Sequence, residues 1–249
     1  AGRDLMLAVD VSGSMEQQDY RLNGRLVDRL QMVKAVAGQF IEARPGDRLG
    51  LILFGSRAYL QTPLTYDRRT VKAMLNEAVI GLAGRQTAVG DAIVLAVKRL
   101  REQPADNRIL VLLTDGATTA GSVAPLSAVE LAAQAQVRVY TIGIGAGDQQ
   151  GLLGDALQPR VDLDAKTLQT IAQRTGGRYF EATDTEQLEQ VYAELNRLEP
   201  SVRDSRSLRP VLALYMWPAG LALLISILLA WNTLPARVQG QAAGGQDVR

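Results

Sequence analysis

Three small oxygen-bearing side chains follow the first apolar run of the chain. Asp10 ends the run that begins at Leu5, and Ser12 and Ser14 follow at alternate positions in a turn that contains Gly13. Carboxylate and hydroxyl oxygens crowded at the end of a strand suit a hard divalent cation such as Mg²⁺, which takes oxygen ligands in octahedral geometry. The segment therefore predicts a metal site.

Two later segments offer further oxygen ligands. A second apolar run, 109–113, leads into Thr114 and Asp115, and Thr87 lies in a loop just before a helical pattern. Taken singly, each of these side chains is an ordinary turn or cap residue. Together, in this order and at the ends of strands, they favour metal binding over that ordinary interpretation. The predicted ligands are Asp10, Ser12, Ser14, Thr87 and Asp115.

Composition excludes several kinds of chemistry. The chain of 249 residues has 27 Lys and Arg against 26 Asp and Glu, so its charge gives no sign of a nucleic-acid partner. It contains no Cys and no His, which excludes disulfides, thiol catalysis, imidazole general bases and the common zinc sites. The usual machinery of hydrolases and oxidoreductases is therefore largely missing.

Strand and helix patterns alternate along the first 200 residues. They predict an α/β fold, a doubly wound and mostly parallel sheet in which the short strand 58–61 returns as an antiparallel edge. Ligands bind such sheets outside the carboxyl ends of the strands, where Asp10 and Asp115 both lie. The predicted strands are 5–10, 49–54, 58–61, 108–114, 137–144 and 178–181. The predicted helices are 26–41, 67–78, 89–101, 125–136, 164–175 (with Asp164 as N-cap) and 185–198.

A charge-free stretch of different character occupies residues 211–231. As a helix it would rise about 31 Å, close to the thickness of a bilayer core. We therefore predict a transmembrane helix over 211–231, preceded by a domain at 1–199 and a juxtamembrane linker at 200–210. The residues after it, 232–249, are predicted to be a disordered tail.

The ordered motifs resemble those of a known family. D-x-S-x-S at 10–14, Thr87 in its loop and T-D-G at 114–116 are similar to the metal-ion-dependent adhesion site of von Willebrand factor type A (VWA) domains. The resemblance implies a Rossmann-like fold in which Ser12, Ser14 and Thr87 coordinate Mg²⁺ directly, with Mn²⁺ or Ca²⁺ as alternatives. Asp10 and Asp115 would act directly or through water, and a partner's acidic residue would complete the coordination.

Over about residues 4–231 the chain is similar to the bacterial aerotolerance-operon (Bat-type) membrane proteins. The stretches that carry this likeness include 44–50, 58–65 and 140–145. The resemblance implies a bacterial inner-membrane protein whose VWA domain lies outside the cytoplasm. The arginines that flank 211–231 instead weakly favour a cytoplasmic domain. The resemblance to Bat-type proteins also implies several partners. These are membrane lipid, sister VWA proteins or other envelope proteins, and a MoxR-type AAA+ ATPase.

Three function classes follow from these residues. The first is a non-enzymatic, membrane-anchored module that binds a protein through the metal site, in an envelope complex linked to stress tolerance. The second is a metal-dependent phosphohydrolase using Asp10 and Asp115, although Ser12 stands where aspartyl-phosphate enzymes of the haloacid-dehalogenase type need a second Asp. The third is a structural membrane protein with an inactive site, which is less favoured because every ligand position is filled.

Overall fold

A computed structural model describes residues 2–22, 24–116, 118–145, 165–200 and 216–233. The chain divides into two compact units, residues 1–204 and residues 205–249. The strands of the first unit are β1 Asp4–Asp10, β2 Tyr20–Leu22, β3 Arg25–Val27, β4 Arg48–Phe54, β5 Ala58–Thr65, β6 Arg108–Thr114, β7 Arg138–Ile144 and β8 Tyr179–Ala182. Its α-helices are α1 Arg29–Glu42, α2 Arg68–Glu77, α3 Val89–Leu100, α4 Pro125–Gln134, α5 Ala165–Arg174 and α6 Thr185–Leu198.

The main sheet has the order β5-β4-β1-β6-β7-β8. Strands β4, β1, β6, β7 and β8 pair in parallel, and β5 pairs antiparallel with β4 at one edge. The chain first builds the sheet on one side of β1 and then crosses to the other side to add β6. The predicted α/β fold with a mostly parallel sheet and one antiparallel edge strand is confirmed, and the reversal places the ends of β1 and β6 side by side.

Side chains alternate between two apolar cores across the central strand. Leu5, Leu7 and Val9 point into a core shared with α1, α2 and α6. Met6 and Ala8 point into a second core shared with α3, α4 and α5. Because β1 is buried on both faces, its sequence is a continuous apolar run and not an alternating one.

The region before α1 differs from its prediction. The helix expected over 26–41 begins at Arg29, because the carboxylate of Asp28 accepts a hydrogen bond from the Gln31 amide at 2.7 Å and caps the helix there. Residues Arg25–Val27 form β3, which pairs with β2 as a separate hairpin. A 3₁₀ helix, Gly13–Glu16, follows β1.

Other differences are small. The antiparallel strand predicted over 58–61 continues to Thr65, with register shifts between Leu49 and Leu51 and between Leu51 and Ile52 of β4. The predicted N-cap Asp164 lies outside the described residues, as do positions 201–210 of the predicted linker.

The second unit contains the helix α7, Met216–Thr233. Among the described residues, no helix is long and apolar enough to cross a membrane. The described part of the stretch predicted as a transmembrane helix, 211–231, lies in this helix of 18 residues, which rises about 27 Å. Positions 211–215 of that prediction lie outside the described residues. Helix α7 also includes the first two residues of the tail predicted at 232–249, and the rest of that tail lies outside the described residues.

Candidate metal site

Asp10 is a fully buried carboxylate at the carboxyl end of β1. One of its oxygens accepts a hydrogen bond from the Ser12 amide at 2.8 Å, and the other accepts one from the Thr114 hydroxyl at 2.7 Å. Both donors are neutral, and within the described part of the chain no Lys or Arg pairs with this carboxylate. Asp10 is thus a buried acid that still lacks a counter-charge.

Ser12 and Ser14 lie at the start of the 3₁₀ turn that follows β1. Their hydroxyl oxygens are 3.0 Å apart, and the Ser14 hydroxyl donates to Oδ1 of Asp115 at 2.6 Å. Asp115 comes directly after β6, the parallel neighbour of β1. Four of the five predicted ligands therefore form one hydrogen-bonded cluster at adjacent strand ends.

Thr87 reaches the same edge of the sheet on a different loop. It is buried, its amide donates to the Thr119 hydroxyl at 3.0 Å, and its carbonyl accepts from the amides of Thr119 and Ala120. The loop is joined to the first turn by a hydrogen bond from the Gly13 amide to the Arg85 carbonyl at 3.0 Å. Among the described residues, no hydrogen bond joins the Thr87 hydroxyl to the other four predicted ligands.

Glycine lets the Thr87 loop pack this closely. Gly84 has a φ of +92°, and a Cβ built there would lie 2.4 Å from the Ser56 hydroxyl. Any other residue would have both a strained backbone and a clash at this position. The turn at Gly84 therefore helps to set the approach of Thr87 toward the end of β1.

Asp115 differs from Asp10 because it has a cationic partner. Nη1 of Arg29 donates to Oδ2 of Asp115 at 2.8 Å, and the same guanidinium donates to Asp19 from Nε at 3.0 Å and from Nη2 at 2.5 Å. Burial alone would lower the pKa of Arg29, but the hydrogen bonds to Asp19 and Asp115 outweigh burial and raise it. Arg29 is therefore a permanent cation at this site.

The charges of the cluster do not balance. Burial first, and then the negative charge of Asp115, raise the pKa of Asp10 from 3.8 to about 7, against the hydrogen bonds from Ser12 and Thr114, which lower it. Arg29 pairs with Asp19 and Asp115 but not with Asp10, so the three carboxylates exceed the one guanidinium by two negative charges. The cluster can accept a cation of charge +2, because such an ion would neutralise it.

The donor set decides which cations fit. Among the described residues, no group of three or more His, Cys, Asp or Glu side chains could hold a metal. An ion at this site would therefore depend on the hydroxyl oxygens of Ser12, Ser14 and Thr87 together with carboxylate oxygen. An all-oxygen set of this kind suits Mg²⁺, Mn²⁺ or Ca²⁺ better than soft metals.

Sequence reasoning missed Asp19 and Arg29 as parts of the site. Thr114 is the first residue of the T-D-G motif, but the sequence does not show that its hydroxyl holds Asp10. Arg29 and Asp115 are 86 positions apart, so only the fold shows their contact. A charged residue on the buried side of an otherwise apolar helix pattern was the one available sign for Arg29.

Comparison with known proteins agrees with this geometry. Residues 4–194 match the profile of the von Willebrand factor type A domain. A curated relative, a UPF0353 protein of Mycolicibacterium vanbaalenii, is 32% identical over 205 residues, which cover 77% of this chain and 58% of that protein. The chain thus spans little more than half the length of the curated relatives that it matches.

Solved structures show the same fold. BatB from Bacteroides thetaiotaomicron superposes with a TM-score of 0.65 at 24% identity, covering 79% of this chain and 98% of that one. An aerotolerance-related membrane protein from Bacteroides fragilis gives 0.63 at 24% identity, with coverages of 79% and 98%. Proximal thread matrix protein 1 from the mussel byssus, with a zinc-occupied metal-ion-dependent adhesion site motif, gives 0.57 at 18% identity, with coverages of 78% and 47%.

Proposed function

Because this chain belongs to the von Willebrand factor type A domain family, we propose that it binds a protein partner through a divalent metal ion held at the ends of β1 and β6. Asp10, Ser12, Ser14, Thr87 and Asp115 are the proposed metal-site residues. The observation that carries the proposal is the fully buried Asp10 carboxylate, which has two neutral donors and no cation among the described residues. A buried carboxylate without a counter-charge is costly, and a bound cation removes that cost.

Mg²⁺ is the proposed ion, with Mn²⁺ and Ca²⁺ as alternatives. Support comes from the donor set, which is oxygen alone, and from the excess of negative charge in the cluster. The mussel thread protein of the same fold carries zinc at its metal-ion-dependent adhesion site, which shows that a divalent ion can occupy this place in a VWA domain. Zinc prefers nitrogen and sulfur ligands, however, and this chain has neither His nor Cys.

The metal would bind the partner by direct coordination. An acidic side chain of the partner would supply a further oxygen ligand, so affinity would depend on both the ion and the partner's carboxylate. Sister VWA proteins and other envelope proteins are the proposed partners, with a AAA+ ATPase of the MoxR type as a further one by family resemblance. Nucleic acid is not proposed, because the chain is nearly neutral.

Membrane association is the second part of the proposal. The stretch 211–231 contains no charged residue, and in its described part the apolar side chains of Leu221, Leu224 and Leu228 are each at least 60% exposed. The aerotolerance-related protein of the same fold from Bacteroides fragilis is a membrane protein. We place the VWA domain on the outer side of the inner membrane by resemblance to Bat-type proteins, and a cytoplasmic placement is the alternative.

A non-enzymatic role is favoured over the metal-dependent phosphohydrolase. A phosphoryl-transfer site needs a free cation near the reacting carboxylates. Among the described residues, Arg29 is the cation that pairs with these carboxylates, and it already donates to both Asp19 and Asp115. Ser12 also occupies the place of the second acid of an aspartyl-phosphate enzyme.

Metal titration of the full chain tests the site. Calorimetry with Mg²⁺ should show one binding site that disappears in Asp10→Asn. The matched control is Asp4→Asn, which changes a buried carboxylate at the opposite end of the same strand, where it pairs with Arg48 at 2.6 Å. Equal Mg²⁺ binding by wild type and Asp10→Asn would overturn the assignment.

Partner capture tests the function. Cross-linking in bacterial membranes should lose its products when chelator is added and in Thr87→Ala, but not in Thr62→Ala, which changes another buried threonine on β5. Cross-linked products that persist in chelator and in Thr87→Ala would show that partner binding does not require the metal ion.

A further inference from the structure

Arg29 makes the two strand-end carboxylates different, because it pairs with Asp115 and not with Asp10. It is the first residue of α1 and only 5% exposed, and its guanidinium bridges Asp19 and Asp115. We propose that Arg29 is a positioning residue, a built-in counter-cation that holds Asp115 and competes with the metal for its charge. This inference rests on the proposed metal-dependent function and names the residue that tunes it.

Both oxygens of Asp115 are engaged within the protein. Oδ1 accepts from the Ser14 hydroxyl at 2.6 Å, and Oδ2 accepts from Nη1 of Arg29 at 2.8 Å. Asp10 has neutral donors only. Because Asp19 and Asp115 share Arg29, Asp10 is the carboxylate of the cluster that has no cationic partner among the described residues.

The consequence for binding follows from charge. With Arg29 in place, an ion of charge +2 brings the three carboxylates and the guanidinium to a net charge of zero, so an acidic group of a partner can approach it. Without Arg29 one negative charge would remain beside the ion, which would bind more tightly but attract a partner's acid less. Arg29 therefore lowers the affinity for the metal ion and raises the affinity for an acidic partner.

The guanidinium is held from its other side. Asp19 accepts from Nε and Nη2 of Arg29 and immediately precedes Tyr20, whose hydroxyl donates to the carbonyls of Gly145 and Ala182. Arg29 is thus fixed between the hairpin β2–β3 and Asp115. A planar guanidinium can serve both carboxylates at once, whereas a lysine ammonium is a single point charge.

The test measures Mn²⁺ affinity of the full chain by electron paramagnetic resonance. Arg29→Gln should bind Mn²⁺ more tightly than wild type by on the order of tenfold, because Asp115 becomes available. The same substitution should have no such effect in an Asp115→Asn background, because its action passes through Asp115. The matched control is Arg197→Gln, which removes the charge of an exposed arginine that pairs with Glu194 on α6 and should leave affinity unchanged.

Each result decides between the alternatives. Unchanged or weaker Mn²⁺ binding in Arg29→Gln would overturn the inference and leave the proposed function standing. Equal tightening in both backgrounds would also overturn it, because the guanidinium would then only repel the ion. If wild type binds no Mn²⁺ but Arg29→Gln does, the role of Arg29 is supported and the proposed function fails. If neither binds, both fail.

A second variant guards against loss of the fold. Arg29→Lys keeps the positive charge but cannot bridge Asp19 and Asp115 together, so its Mn²⁺ affinity should lie between wild type and Arg29→Gln. If Arg29→Gln loses its near-ultraviolet circular dichroism, it is not folded, and the inference is then tested with Arg29→Lys alone. Tightening relative to wild type supports the inference, and affinity at or below wild type overturns it.

Discussion

The hydroxyl of Thr114 donates to Oδ2 of Asp10 at 2.7 Å and joins the ends of two neighbouring parallel strands. Both residues are completely buried. The bond orients Asp10 with its second oxygen toward β6, while the Ser12 amide holds the first at 2.8 Å. The direction of the buried carboxylate is therefore set by its own strand end and by the adjacent one.

Thr114→Val should lower the free energy of unfolding by about 1–3 kcal/mol, because it leaves a buried carboxylate oxygen without its donor. Urea denaturation followed by circular dichroism measures the change. Thr62→Val is the control, because the Thr62 hydroxyl is buried and has no hydrogen-bond partner among the described residues. That variant should be neutral or slightly stabilising. A loss of the same size in both variants would show that the Thr114 bond contributes nothing of its own.

Metal should reverse the stability order of wild type and Asp10→Asn. Without metal at pH 8, above the pKa of about 7 at Asp10, the buried carboxylate is charged and destabilises the fold. Asp10→Asn should therefore be more stable than wild type in chelator, by about 1 kcal/mol or more. Added Mg²⁺ should raise the melting temperature of wild type alone, because only a folded state with a site gains from binding. Calorimetric scans with and without Mg²⁺ would refute this if the two proteins responded alike.

Tyr20→Phe should detach the hairpin β2–β3 from the end of the sheet. The Tyr20 hydroxyl donates to the carbonyls of Gly145 and Ala182, and its loss should cost about 1–3 kcal/mol since the ring stays buried but the carbonyls lose a donor. Tyr192→Phe provides the comparison, because the Tyr192 hydroxyl is buried with no partner among the described residues. Denaturant unfolding should separate the two variants, and equal midpoints would contradict the role given to Tyr20.

Periodicity was sufficient to predict the sheet. The strands β1, β6 and β7 are continuous apolar runs because helices cover both of their faces. Since β1 and β6 were both predicted to be parallel strands, Asp10 and Asp115 were expected at the same edge of the sheet. The family resemblance added the order of the motifs. The structure places Asp10, Ser12, Ser14 and Asp115 in one cluster, which the sequence had predicted from strand ends alone.

The segment between β1 and α1 could not be predicted correctly from the sequence. The hairpin strands, Tyr20–Leu22 and Arg25–Val27, are only three residues long and each contains an arginine, so they are too short for an alternating apolar pattern to identify them. Leu26 continues the helical spacing of apolar residues, so the apolar pattern predicts a helix start three residues too early, although the Leu26 side chain is 56% exposed. The N-cap residue Asp28 marks the observed start.

Asp28→Ala should weaken that helix start. The carboxylate of Asp28 accepts from both the amide and the side chain of Gln31 at 2.7 Å. Loss of this N-cap should lower the free energy of unfolding by about 1 kcal/mol, whereas Asp28→Asn keeps an oxygen acceptor and should lose only a few tenths. Because Arg29 follows directly, Asp28→Ala should also loosen the guanidinium, which faster amide hydrogen exchange in the first turn of α1 would reveal. Unfolding midpoints that are equal for Ala and Asn would remove the cap argument.

Glu199 lies at the end of the main sheet opposite the metal site. Replacing it with a neutral residue should strongly lower the free energy of unfolding. It is fully buried, it pairs with Arg3 at 3.2 Å and with Arg138, and it accepts from the Tyr140 hydroxyl at 2.8 Å. Glu199→Gln removes the buried negative charge that faces Arg3 and Arg138, whose side chains are 22% and 36% exposed, and it should cost about 3 kcal/mol, the lower end for a broken buried pair.

The comparison for this variant is Glu194→Gln on the same helix. Glu194 pairs with the exposed Arg178 and Arg197, and exposed pairs contribute less than about 1 kcal/mol. Chemical unfolding of both variants, with Mg²⁺ titration as a second measurement, separates stability from function. Glu199→Gln should lose stability and keep its Mg²⁺ affinity in the folded protein, since the carboxylate lies at the amino end of β1 and β7 and the metal site at the carboxyl end of β1. A Glu199→Gln protein as stable as Glu194→Gln would show that water reaches this network and that its charges are screened.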